Sequence, residues 1–248
     1  MLRRRELTSK DVRRLVFDSI GLIAETQGEL DLPICPHLDH TRQVLLNGKF
    51  FARPLPRKFV GQYHMAYGAF SPPASITLDS MIPFCDRPLN IPEVPTTLAN
   101  YTATHEVIHA DDHVGGDLMF TATQDHILHE HEDKLMKGME IIEVSDDRCG
   151  IGSYDDLACL WAMQYVDMIT HYRAYVVLRH GGFPKLDFVW DHMQNDFFPP
   201  NLLTKIEREK DTRYIFEDII GQMGEYCLID ALMESTSIGD RTVCRYTV

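Results

Sequence analysis

Residues 154–180, YDDLACLWAMQYVDMITHYRAYVVLRH, are apolar on almost every side of a helix. A helix of that kind has to be surrounded by other elements, so it demands a sizeable core. Gly181-Gly182 marks its end. Yet Gln164, Asp167 and His171 recur at i, i+3 and i+7 on one face of it. Buried polar groups are costly unless paired. The row therefore asks for partners, either a metal ion or an internal hydrogen-bond network involving Arg173 or Tyr175.

The remainder supplies enough chain for such a core: 248 residues, 44% of them hydrophobic, exclude global disorder. Residues 8–29 read as an amphipathic helix capped by Thr8 or Ser9, with Val12, Leu15, Val16, Ile20 and Ile23 on one stripe. Residues 30–58, rich in proline and basic side chains, predict an irregular, partly extended excursion, with His37-Leu38-Asp39-His40 a turn. Two strands are predicted, over 59–70 and 74–82, joined at Ser71-Pro72-Pro73 as a hairpin. From residue 96 the character is helical. One helix runs over 96–113 with Thr96 as cap and Gly115-Gly116 as its stop, and a second runs from Asp117 to about Ile142. A loop over 145–153 leads to the 154–180 helix, and shorter helices follow at 185–197, 201–210 and 212–236, with a closing strand over 241–248. Strands first and helices afterwards make the class α+β, predominantly helical, with a small sheet (residues 59–82) and a helical C-terminal half. No linker divides the chain, so residues 1–248 read as a single domain.

The sharpest motif is His105-Glu106-Val107-Ile108-His109, an H-E-x-x-H inside a predicted helix. Spacing i, i+4 stacks the two imidazoles on one face, roughly 5–6 Å apart at Cβ. Both rings can then hold one Zn²⁺ at about 2.0–2.1 Å. Glu106, next to the first ligand, can reach a water that the ion has acidified, and take its proton as hydroxide attacks a carbonyl. Each fixed letter thus has a chemical role.

In this motif and the strands before it, residues 59–113 resemble the zincin metallopeptidases. That resemblance implies a small sheet packed on the active-site helix, with an edge strand above the cleft. By analogy ITLDSM (76–81) would be the substrate-facing strand. It also implies a metal-dependent hydrolase acting on a peptide or protein.

The third ligand is open. Asp112 stands where the extended motif needs glycine, and His113 at i+8 lies about 12 Å along a straight helix from His105. His171 and then Glu132 are the foremost candidates, with Asp167, His129 and His113 behind them. Tyr172 and Tyr175 are possible oxyanion stabilisers. The run His126-Ile-Leu-His129-Glu-His131-Glu132-Asp133 is also rich in ligand chemistry.

Two alternatives remain. A di-iron or di-manganese carboxylate protein in a helical bundle would use Glu106-x-x-His109, but it needs a second E-x-x-H. A non-catalytic, metal-stabilised binding protein would close the ion with a fourth protein ligand. A formal net charge of −13, from 24 Lys+Arg against 37 Asp+Glu, argues against nucleic acid as a partner. No stretch approaches about eighteen apolar residues, so no membrane span is expected. Six scattered cysteines without a C-x-x-C pair, and no signal-peptide pattern, predict reduced thiols and a cytoplasmic setting.

Overall fold

The computed structural model describes residues 5–55, 59–60, 62–63, 68–84, 91, 93–144 and 151–190. Among the described residues it is mostly helical, with a small sheet of three strands and a separate two-stranded pair. The elements are α1 (Ser9–Leu30), α2 (Leu38–Leu46), β1 (Lys49–Arg53), β2 (Phe59–Val60), β3 (Gln62–Tyr63), β4 (Gly68–Ser71), β5 (Ser75–Asp79), α3 (Val94–Val114), α4 (Leu118–Glu130), α5 (Glu132–Val144) and α6 (Tyr154–His180). They fall into two compact units, Met1–Lys58 with His64–Asp117 and Thr170–Met193, and Phe59–Tyr63 with Leu118–Ile169 and Gln194–Val248. No helix among the described residues is long and apolar enough to cross a membrane.

In the first unit, α1 starts at a capping box. The Thr8 hydroxyl accepts from the Asp11 amide, and the Asp11 carboxylate accepts from the Thr8 amide. Arg5 adds an ion pair at 2.8 Å. Burial works against the Asp11 charge, but the bonds from Arg5 and Thr8 outweigh it and hold the carboxyl at about 2. A depressed carboxyl stabilises the fold above its unfolded value near 4, and that stability is lost as pH falls towards 2. Asp11→Asn is therefore expected to cost about 1–2 kcal/mol at pH 7, discounted because Arg5 is half exposed. Urea unfolding at pH 7 and at pH 2 checks this, the difference between the two proteins vanishing in acid.

The α1 stripe of Val12, Leu15, Val16, Ile20 and Ile23 is buried, and it packs on α3 and β1. The sheet has the order β1-β5-β4, with β1 parallel and β4 antiparallel to β5. Register aligns Phe50 with Ile76 and Phe70, and Ala52 with Leu78 and Gly68. Phe50 meets Phe17 of α1 at 6.1 Å and Phe70 meets His113 of α3 at 5.7 Å. These two rows therefore form the face that rests on α1 and α3.

Three expectations are corrected here. Residues 30–55 are more regular than expected, because they contain α2 and β1, and of the turn expected at 37–40 only His37 is in one, Leu38, Asp39 and His40 opening α2. The expected sheet over 59–82 draws its first strand from 49–53, a run whose alternation is hidden among prolines and arginines. The single strand over 59–70 is instead β2, β3 and β4, with β2 and β3 paired to each other. The hairpin at Ser71-Pro72-Pro73 is present, joining β4 to β5.

In the second unit, the helix expected from Asp117 to Ile142 breaks at His131 into α4 and α5. Ile127, Leu135, Leu157, Trp161 and Ile169 form its core. Gly138 lets α5 close on α6, since a Cβ there would sit 2.8 Å from Leu157 Cδ2. The predicted span of α6 matches the structure. Of the helix expected at 185–197, residues 186–190 are described and helical. The helices at 201–210 and 212–236, the strand at 241–248 and the Gln164 side chain lie outside the described residues.

Candidate metal centre

The helix α3 opens at Val94-Pro95, the proline sitting where a helix has no amide to lose. Along one face it presents Tyr101, His105 and His109 at i, i+4 and i+8. The Nε2 atoms of His105 and His109 face each other at 3.0 Å, their rings nearly perpendicular at 82°. Two nitrogens bound to one tetrahedral ion at about 2.0–2.1 Å would stand about 3.3 Å apart. A shift of a few tenths of an ångström reaches that distance.

The third ring comes from α6. His171 is buried and lies over His105 with centroids 4.0 Å apart. One turn earlier on the same helix is Asp167. Imidazole donors suit a borderline divalent ion such as zinc.

Tyr101 orients His171. Its hydroxyl is 3.1 Å from the His171 carbonyl, which can only accept, and 3.0 Å from His171 Nδ1. With the phenol proton on the carbonyl, the phenol oxygen accepts from Nδ1–H, and that tautomer puts the ring's lone pair on Nε2, the atom that would ligate an ion. Tyr101→Phe keeps the stacked ring (16° to the imidazole) and removes that oxygen. Zinc affinity is expected to fall about 10–100-fold, read by competition with a chromophoric chelator. An unchanged affinity would show that the phenol holds nothing.

Glu106 is 4% exposed. Its side chain lies against β4, where a Cβ on Gly68 would come 2.7 Å from Glu106 Oε1 and 2.6 Å from Thr102 Cγ2. Glycine at the strand's edge is thus what lets α3 approach. The strand offered by analogy as substrate-facing, 76–81, is instead the middle one of the three. Among the described residues β4 holds the edge beside Glu106.

The end of α3 is pinned by two carboxylates. Asp111 is buried and accepts from the Thr41 hydroxyl at 2.8 Å and the His37 amide at 3.2 Å. Burial raises its pKa. Asp112 takes a two-pronged bond from Arg173 at 2.8 and 2.9 Å, and Arg173 also donates to the Ile34 carbonyl. Burial opposes the Arg173 charge, but Asp112 outweighs it and the guanidinium pKa is raised.

Other candidates stand elsewhere. Glu132 is exposed in the first turn of α5. His129 donates from Nδ1 to the Asp125 carbonyl. His113 pairs with Asp117 at 3.0 Å. Tyr175 donates to Asp187, and Tyr172 packs edge-on to Trp190, burial pushing its phenol up to about 12. The phenol that meets the histidines is Tyr101. Its position four residues before His105 was the available signal.

Comparison with family models, curated proteins and solved structures found no match for this chain.

Proposed function

We propose that the chain is a zinc-dependent hydrolase of the H-E-x-x-H type, acting on a peptide or protein. His105, His109 and His171 hold the ion and Glu106 is the general base. One observation carries this reading: imidazoles from two helices converge, two of their nitrogens 3.0 Å apart, beside a buried glutamate. A divalent ion bound there supplies a Lewis acid that acidifies water and polarises a carbonyl.

The chain's own residues supply the rest. Tyr101 fixes the His171 ring, and Asp167 either completes the donor set or orients a histidine. Glu106 takes the proton from the attacking water and returns it to the leaving amine as the peptide bond breaks. A small sheet lying on α3, with β4 at its edge, supports a zincin-like arrangement. The excess of acidic residues favours a peptide over a nucleic acid. The free thiols Cys35 and Cys159 support a cytoplasmic setting.

The position of Asp167, one turn before His171 on α6, favours a second reading. A fourth protein ligand would close the ion and make the protein a metal-stabilised binding module. The sequence holds a single E-x-x-H, Glu106 to His109, which supports a single ion over a di-iron or di-manganese centre.

Elemental analysis and cleavage of a denatured protein substrate, with and without phenanthroline, test these readings. Bound zinc with chelator-sensitive cleavage is the expected result, the cleavage and the zinc of the His105 centre being lost in His105→Asn/His109→Asn. Zinc without cleavage selects the binding module. Metal content unchanged in the double variant overturns both.

A further inference from the structure

The break between α4 and α5 brings together a second pair of histidines. His126 and His131 are five residues apart, about 140° around an unbroken helix, where their rings could not meet. His131 is the single non-helical residue between the two helices. Its amide donates to Ile127 and its carbonyl accepts from Lys134 and Leu135, so both flanks are fixed. Ile127 and Leu135, each 1% exposed, anchor the joint in the second unit's core. The ring of His131, itself 3% exposed, turns back on His126. The two Nε2 atoms then face each other at 3.3 Å, with the rings at 73°.

That separation is the one two ring nitrogens adopt on a single tetrahedral ion, about 3.3 Å. A neutral N–H···N hydrogen bond also fits the distance, but an entering ion needs only the Nδ1–H tautomer of both rings. We propose that His126 and His131 form a second site, for a borderline divalent transition metal of the zinc, nickel or copper class, with water in the remaining positions. Paired imidazoles favour these ions over magnesium or calcium, which take oxygen donors. The ion would tie the last turn of α4 to the first of α5. This site does not depend on the His105 centre.

Zinc alone, titrated calorimetrically into the full-length chain, tests it. The wild type is expected to take up two ions per chain. In the His105→Asn/His109→Asn background one ion remains, and adding His126→Asn or His131→Gln removes it or weakens it at least tenfold. If those additions leave its stoichiometry and affinity unchanged, or if the background variant binds no zinc while circular dichroism shows it folded, the second site is overturned. Should His131→Gln fail to fold, His126→Asn, at a half-buried position, carries the test. Cu²⁺ electron paramagnetic resonance of the same background gives an independent measure, expected to show two imidazole nitrogens. One nitrogen or none would overturn the pair.

Discussion

Glu106→Gln is expected to lower peptide turnover by about 10²–10⁴-fold, the range a general base contributes, while the bound zinc stays. Glutamine is nearly isosteric, so it still fits against Gly68, but it cannot take a proton at neutral pH. The loss should fall on kcat, because the group acts as the proton moves and not when substrate docks. His105→Asn differs in kind, since it removes a ligand and so loses the metal of that centre and turnover together. Elemental analysis beside steady-state kinetics separates the two effects. Full turnover in Glu106→Gln would remove the glutamate from the chemistry and, with it, the hydrolase proposed for this chain.

Asp112→Ala should destabilise the first unit by about 3–5 kcal/mol, the effect of breaking one side of a buried ion pair. Arg173 is 3% exposed and Asp112 14%, so the stranded guanidinium has little water to return to. For a chain of this size the loss corresponds to on the order of 10 °C in melting temperature. Arg173 also donates to Ile34, so Asp112→Leu combined with Arg173→Met should recover stability only in part. The pair lies three residues beyond His109 on α3 and two beyond His171 on α6, joining the two helices that carry the ligands. Excess zinc should therefore restore part of the lost melting temperature, because it binds only the folded arrangement. Differential scanning calorimetry with and without zinc decides this. A shift within about 2 °C for Asp112→Ala would show that the ion pair contributes little.

Local patterns made several elements legible before any coordinates. The α1 stripe and its Thr8 cap, the Gly115-Gly116 stop and the full span of α6 all follow from periodicity and caps, which act within a few residues. The strand β1 and the break at His131 were not legible. A parallel pairing such as Phe50 with Ile76 leaves no trace in neighbouring residues, and nothing in HILHEHED marks one residue as the joint.

The same division holds at the candidate metal centre. H-E-x-x-H sets His105, Glu106 and His109 on one helix because a turn of 3.6 residues stacks i on i+4, a property of the chain itself. Which distant side chain joins them was not written there: His171 and then Glu132 led the candidates, with Asp167, His129 and His113 behind them. Tertiary packing places His171 over His105, sets Tyr101 against it and leaves Glu132 at the surface. Contacts across 66 and 70 residues, His105 to His171 and Tyr101 to His171, exist only once the helices have found each other, and no local rule carries that information.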